Sequence, residues 1–273
     1  MRRAMNIVPA AGSRLLLALL PFLLIAAIYV VGSAERRQAN PNDKLLPPVS
    51  EMAATVTHLA AEPDQRTGEL LLWADTAASL QRLAIGLGLA VLIGLVFGLA
   101  IGVLPLVRGT LAPIVGVISM IPPMAVLPIL FIVFGLGELS KVVLIVFGIA
   151  PCLIRDLAMT ARSIPIEQMI KAQTLGASTW QVVLRVALPQ TMPRLIESVR
   201  LQLGPALLFL ISAEAIASES GLGYRIFLVR RYLAMDVILP YVAWITLLAF
   251  IMDFALARLA RRAFAWAYVQ EQR

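Results

Sequence analysis

The sequence predicts an all-α, polytopic membrane protein with six transmembrane helices, and three observations carry that prediction. Of its 273 residues 60% are hydrophobic and only 14% are charged, against roughly 45–50% and about 25% in soluble domains. The mean hydropathy is +0.88, and a water-soluble fold of this length has too much surface to conceal so much apolar side chain. The apolar residues are gathered into runs of about 20, the length a helix needs to cross the hydrocarbon core. No alternating ten-residue pattern of a barrel is present, so backbone amides deprived of water must pair within helices.

The first span is Leu15–Val31, with Arg2, Arg3 and Arg14 ahead of it and Gly32-Ser33-Ala34 behind. It reads as an uncleaved anchor. The competing reading is a cleavable signal peptide, for which the run is somewhat long. Residues 33–72 form a polar outside stretch in which Ser50 is placed to cap a short helix with Met52, Val56 and Leu59 on one face. That helix is expected to lie on the membrane surface.

The second span, Leu83–Val107, is entered through a half-polar lead from Trp73 and repeats small residues every fourth position: Gly86, Ala90, Gly94, Gly98 and Gly102. Such a face permits close helix approach in lipid, either as static packing or as a sliding surface. The third span, Leu111–Phe134, contains Pro122-Pro123, with Pro128 as a second kink. Two prolines free backbone carbonyls, which is tolerated where the break is buried in protein or lines a cavity. Met120, Pro122, Pro123 and Met124 are therefore candidates for lining a pathway through the membrane.

The fourth span, Val142–Ala161, carries Arg155 and Asp156 near its end, read as interface residues or a local ion pair. The fifth, Val199–Ala217, carries Ser212 and Glu214. A charge at the bilayer centre costs roughly 2.5–3.5 kcal/mol on insertion scales, so Glu214 either lines the pathway beside Ser212 or bonds hydroxyl and backbone groups at a helix contact. The sixth, Val237–Ala257, holds Asp253 near one end, an interfacial position. Beyond the fifth span, Arg225, Arg230 and Arg231 read as solvated, or as contacts for acidic groups on a docking protein.

The net charge is +7. Basic residues accumulate in cytoplasmic loops, and placing both termini in the cytoplasm puts fourteen of the 23 lysines and arginines inside, Arg2, Arg3, Arg258, Arg261, Arg262 and Arg273 among them, and nine outside, including Arg66. No basic tract with interleaved aromatics points to nucleic acid. The lone Cys152 and the lone His58 exclude an intrachain disulfide framework and a Cys/His zinc cluster. No phosphate-binding Gly-x-x-x-x-Gly-Lys-Ser/Thr loop, nucleophile elbow or His-Glu-x-x-His helix is present, so an enzyme is a poor reading.

The longest inside segment, 162–194, is the most distinctive. Pro165 opens it, and Ile166–Leu175 is helix-compatible with Glu167 in the first turn, where an anion is favoured. Gly176 breaks the pattern as a residue past a helix end does. A second helix, Ser178–Ala187, has Ser178 as its N-cap and is expected to stop at Pro189. Ile166, Ile170, Trp180, Val183 and Leu184 stay exposed unless a partner, or the protein's own bundle, covers them.

Lys171-Ala172-Gln173-Thr174-Leu175-Gly176-Ala177-Ser178, followed by Val186-Ala187-Leu188-Pro189, resembles the Glu-Ala-Ala loop of ABC-importer permeases. In that motif Glu-Ala-Ala is followed by three residues and Gly, then by nine residues, an aliphatic residue, one residue and Leu-Pro; Gly176, Val186 and Leu188-Pro189 keep this spacing. Further segments resemble the nitrate/sulfonate/taurine group of these permeases: Leu46-Pro47-Pro48-Val49, Ser79-Leu80-Gln81-Arg82-Leu83, Ile121-Pro122-Pro123-Met124-Ala125, Phe134–Lys141, Ala213-Glu214 and Ser220-Gly221-Leu222-Gly223-Tyr224. The motif departs at one point: Ile170 and Lys171 stand where the family has its glutamate and first alanine, and Glu167 lies one turn too early to replace the acid.

The resemblance implies a type I ABC-importer permease fold in the bacterial inner membrane. It implies ABC ATPase subunits on the cytoplasmic face, a periplasmic solute-binding protein, and a second permease chain, expected to be an identical copy. ATP and Mg would sit on the ATPase, with no cofactor on this chain. It makes Glu167, Ile170, Lys171, Ala172, Leu175, Gly176, Ala177, Leu188 and Pro189 the residues that couple to the ATPase. The organisation that follows is an N-terminal cytoplasmic segment and first span (1–34), a periplasmic linker (35–75), a permease core (76–262) and a cytoplasmic tail (263–273). The solute is expected to be a nitrate-, sulfonate- or taurine-like anion or a related compound. A stand-alone secondary transporter or channel is the alternative, though neither an internal repeat nor a midplane acid suited to a coupling ion is evident.

Overall fold

The computed structural model describes residues 11–40, 43–65 and 68–268. The expectations resting on Arg2, Arg3, Arg66 and Arg273 lie outside them. The helices are α1 (Ala11–Ala39), α2 (Val49–Ala61), α3 (Leu71–Val103), α4 (Pro105–Ile118), α5 (Pro123–Phe134), α6 (Glu138–Arg162), α7 (Ile166–Thr174), α8 (Thr179–Val182), α9 (Leu188–Ala217), α10 (Leu222–Val229) and α11 (Met235–Ala263). Among the described residues five helical stretches are long and apolar enough to cross a membrane: α1, α3, α6, the run 179–217 and α11. The bent pair α4–α5 makes a sixth.

That pair corrects the reading of Leu111–Phe134 as one helix, because α4 and α5 meet at 95°. Pro122 is extended (φ −63°, ψ 119°); neither proline offers an N–H, and the residue before a proline is driven out of the α region. At 1.5 Å per residue α4 and α5 are about 21 and 18 Å long, so neither crosses a hydrocarbon core of about 30 Å alone. The same rule ends α3 at Val103 rather than Val107: Leu104, ahead of Pro105, is extended (φ −98°, ψ 111°), and Pro105 opens α4.

The core is built on α3 against α6. A Cβ added at Gly86 would lie 2.9 Å from Ile145 Cβ, at Gly94 2.7 Å from Leu153 Cβ, at Gly98 2.7 Å from Leu157 Cβ and at Gly102 2.5 Å from Ala161 Cβ. Ala90, the remaining rung, is fully buried. The small-residue face is thus a packed seam inside the chain, and α6 meets it with Ile145, Ile149, Leu153 and Leu157, none of which is exposed. On its other side α6 packs against α9, where Phe209 fills the space that a side chain at Gly148 would take.

The remaining elements attach to this slab. Helix α1 buries none of its most apolar stretch. Near its end the Tyr29 hydroxyl donates to Pro47 O (2.6 Å) and the Ser33 hydroxyl to Leu46 O (2.8 Å). In α2 the N-cap position is Pro48, without a side-chain cap, and Ser50 lies inside the first turn; Pro48 already supplies the extended entry and its carbonyl accepts from Met52 N. The apolar face falls where the spacing put it, with Val56 and Leu59 against the core. Pro189 does not stop a helix either. A π-helical turn, Val183–Ala187, runs into α9, and Leu188 N bonds Val183 O across five residues, so the wider turn takes the proline into the first turn of α9.

Substitution of Gly98 by Val should cost about 1–3 kcal/mol by overpacking a seam with no slack. Gly88→Ala, on the same helix but with nothing within 4 Å, should leave stability unchanged; thermal unfolding in detergent compares the two.

Candidate functional site

The segment from Pro165 to Pro189 forms a bent hairpin whose geometry is set locally. Gly176 adopts φ +84°, and the turn closes with Gly176 N donating to Gln173 O (2.9 Å) and Ala177 N to Ala172 O (3.0 Å). That double bond pattern ends a helix through a left-handed residue, a conformation suited to glycine. Two residues on, Ser178 and Gln181 form a reciprocal capping box: Ser178 Oγ accepts from Gln181 N (3.3 Å), and Gln181 Oε1 accepts from Ser178 N (2.8 Å). One helix therefore stops and the next starts within a few residues, which fixes the angle between them.

The hairpin has two unlike sides. Inward, Val182, Val183 and Ala187 are buried, and Met169, Ile164 and Leu188 pack with Leu99 and Ala161 of the bundle. Gln190 Nε2 donates to Gln168 Oε1 (2.9 Å), tying α7 to α9. Outward, Ile166, Ile170, Leu175 and Trp180 are 64%, 52%, 79% and 68% exposed. Glu167, Lys171, Gly176 and Pro189 are also exposed, while Ala172, Ala177 and Leu188 are half-buried. The loop packs back onto its own bundle and still presents an uncovered apolar side.

At the opposite end, a network of charges, buried except toward Glu138 and Arg225, joins five helices. Glu214 of α9 has no exposure. Its Oε1 accepts from Ser79 Oγ (2.8 Å) and Arg82 Nη1 (2.7 Å), and its Oε2 from Gly223 N (2.8 Å). Arg82 also donates from Nε to Glu138 Oε2 (2.5 Å) and from Nη1 to Ser220 O (2.8 Å). Lys141 donates to Glu138 Oε1 (2.7 Å) and Ser218 Oγ (3.1 Å). Beside them, Asp75 accepts from Gly221 N (2.9 Å), Arg225 Nε (2.8 Å) and the Tyr241 hydroxyl (3.1 Å). Burial works against the Arg225 charge, but the Asp75 carboxylate outweighs it and holds the guanidinium above its ordinary value. Among the described residues no buried side-chain nitrogen or oxygen lacks a partner.

Gly221 and Gly223 are built into this network. Gly221 has φ +127°, and a Cβ there would fall 2.6 Å from the Glu214 carboxyl carbon; one at Gly223 would fall 2.6 Å from Ile211 O. Arg225 is therefore held within the fold rather than solvated, whereas Arg230 and Arg231 are exposed.

Ser212 and Glu214 do not share a face. Two residues apart they lie about 200° around the helix, and while Glu214 points inward, half-buried Ser212 donates to Leu208 O (2.7 Å). Of its two readings, Glu214 takes the helix contact. At the α4–α5 bend Met120 is 79% exposed, Met124 38%, Pro122 is exposed and Pro123 half-buried. Arg155 and Asp156 point to different neighbours: Arg155 donates to Ser119 Oγ (3.0 Å), while Asp156 is held by Ser198 and, through two bonds of 3.0 Å, by Arg194. Arg200 grips Asp253 in the same two-pronged way (2.8 and 3.0 Å).

The family model described as "Binding-protein-dependent transport system inner membrane component" matches residues 90–265. The taurine transport system permease protein TauC of Escherichia coli (strain K12) is 38% identical over 222 residues, which cover 81% of this chain and 80% of that protein. The nitrate import permease protein NrtB of Synechococcus elongatus is 31% identical, covering 76% of this chain and 73% of that one. The putative aliphatic sulfonates transport permease protein SsuC of Bacillus subtilis is 27% identical, covering 91% and 86%. In fold, a chain of the MetNI methionine ABC transporter in inward-facing conformation superposes with a TM-score of 0.63 at 22% identity, over 73% of this chain and 99% of that one.

Removing Arg82 leaves buried Glu214 without its counter-charge, which costs about 3–5 kcal/mol, and removing Glu214 leaves Arg82 with Glu138 as its remaining carboxylate. Arg82→Met and Glu214→Leu should each lower the unfolding temperature in detergent sharply. The double variant should recover part of the loss, and additive losses would contradict the pairing.

Proposed function

The chain belongs to the inner membrane components of binding-protein-dependent transport systems, and from that premise we propose how its parts serve transport. It is a multi-pass inner membrane protein, the permease of an ABC importer, and carries no catalytic domain of its own; an ATPase and a binding protein complete the system. On this reading the coupling loop 162–194 lies in the cytoplasm with both termini, and its hairpin docks on the ATPase through the outward apolar side. A second, identical chain would complete the permease, with the division into linker 35–75, core 76–262 and tail 263–273 as read from the sequence.

The observation that carries this reading is the two-sidedness of the hairpin. A segment fastened to the bundle by Met169, Leu188 and the Gln168–Gln190 bond, yet showing Ile166, Ile170, Leu175 and Trp180 to solvent, has the form of a rigid connector. Closure of the ATPase pair on ATP would push the hairpin. Because α9 continues directly from it and α6 leads into it, the push reaches the membrane-spanning helices. Two states of the bundle that differ in affinity for ATP-bound ATPase are what nucleotide-driven transport requires thermodynamically. The exposed α4–α5 bend, with Met120, Pro122, Pro123 and Met124, and the half-exposed Ser212 are proposed to face the pathway. Relatives named for taurine, nitrate and aliphatic sulfonates support a small anion of that kind as the solute.

Trp180→Asp and Leu175→Asp, on the outward side, should each weaken ATPase association about ten- to a hundredfold, since covering one such side chain contributes roughly 1.5–3 kcal/mol. Co-purification with the ATPase and solute uptake should both fall while thermal stability of the chain is unchanged. Uptake by the chain alone in liposomes, driven by an ion gradient, would instead support a secondary transporter.

A further inference from the structure

We propose that the chain holds one phospholipid with a zwitterionic phosphoethanolamine headgroup in a cleft between α1, α2 and α11. The cleft encloses about 680 Å³, within the range of small-molecule sites, and Tyr29, Met52, Val56, Ala243, Trp244 and Leu247 are among the residues that line it. Its walls offer almost no hydrogen bonds. The Tyr29 hydroxyl is turned to Pro47 O and the Tyr241 hydroxyl to Asp75, while Trp244 Nε1 donates to Thr76. A cleft so lined offers water and polar solutes almost no partners, and a polar solute would lose hydration there without replacement. Hydrocarbon is the chemistry that fits, and the walls belong to helices that cross or border the membrane.

The neighbouring surface identifies the other end of the ligand. A second cleft, sharing Tyr29 and Val49 with the first, leads to Arg37. Arg37 in turn lines a polar cavity of about 580 Å³ together with Asp43, Lys44, Glu51 and Asp236. Asp43 is taken by Arg36 (2.5 Å). The other four charges are loosely held: Arg37 and Glu51 are 3.5 Å apart and about half exposed, and among the described residues Asp236 accepts only a Thr55 hydroxyl (3.1 Å) and Lys44 makes no ion pair. Two cations and two carboxylates around one opening match a headgroup carrying a phosphate and an ammonium, with the phosphate on Arg37 and Lys44 and the ammonium on Glu51 and Asp236. An anionic headgroup such as phosphoglycerol would satisfy the cations and meet the carboxylates unfavourably. The bound lipid would cover the side of α1 that the protein leaves open and fix that helix against α11.

The experiment is native mass spectrometry of the full-length protein released from nanodiscs containing equal amounts of phosphatidylethanolamine and phosphatidylglycerol. A retained phosphatidylethanolamine adduct is expected, in several-fold excess over phosphatidylglycerol. Ala243→Trp, which fills the cleft, should reduce retention of both lipids, and Glu51→Gln with Asp236→Asn should abolish the preference while keeping an adduct. Equal retention of both lipids by the unaltered protein, an adduct unaffected by Ala243→Trp, or crosslinking of Ala243→Cys to a second copy of the chain would each overturn the assignment.

Discussion

A charge that enters the apolar part of a membrane protein must bring its partners with it, and Glu214 meets that requirement completely. Its two oxygens receive a hydroxyl, a guanidinium and a backbone amide, and Arg82 passes the connection on to Glu138 and Lys141. With Asp75 and Arg225 alongside, three carboxylates face three cations, and the network carries no formal excess of charge. Because an unpaired member is so costly, α3, α6, α9, α10 and α11 cannot separate at this end without breaking several bonds together. The glycines at 221 and 223 belong to the same constraint: they let the chain turn directly over the carboxylate.

The network gains its mechanical meaning from what joins it to the hairpin at the other end. Between the two lies the α3–α6 seam, in which backbone replaces side chain at four rungs and leaves no room for sliding. Close-packed interiors pass displacement along rather than absorbing it. The hairpin is fastened to the same slab by its buried side, and the continuous run from α8 through the π turn into α9 carries it directly into the helix that holds Glu214. By contrast, α1 buries none of its most apolar stretch, and although α5 is anchored by Leu127 and Leu130 the α4–α5 bend stays exposed at Met120 and Pro122; any relative motion belongs there and at contacts with other chains.

Features with a local cause were legible in the sequence. Gly176 and Ser178 end one helix and begin another by bonds within a few residues, and both lie where the spacing put them. The ladder from Gly86 to Gly102 and the break at Pro122-Pro123 are equally local. The rule that a proline ends a helix fails at Pro189, because nothing in the composition announces the π turn that accommodates it. The charge network was out of reach for a different reason: Ser79 and Glu214 are 135 positions apart and Arg225 and Asp75 150, so only the fold brings them together. Several of its members sit in segments that resemble the permease family, and their shared depth at one end of the spans was the available signal. Asp75 and Tyr241 belong to no such segment.

The central claim is that hairpin and charge network form one rigid body through the α3–α6–α9 slab. The most direct test is the distance between spin labels at Gln173, on the hairpin, and Glu219, beside the network, both exposed. Pulsed electron resonance would measure it in the assembled transporter with Cys152 replaced by Ser and labelled chain diluted in unlabelled chain. The account predicts a single narrow distance distribution that does not move between nucleotide-free and ATP-bound forms; a shifted or second peak on ATP binding would contradict it.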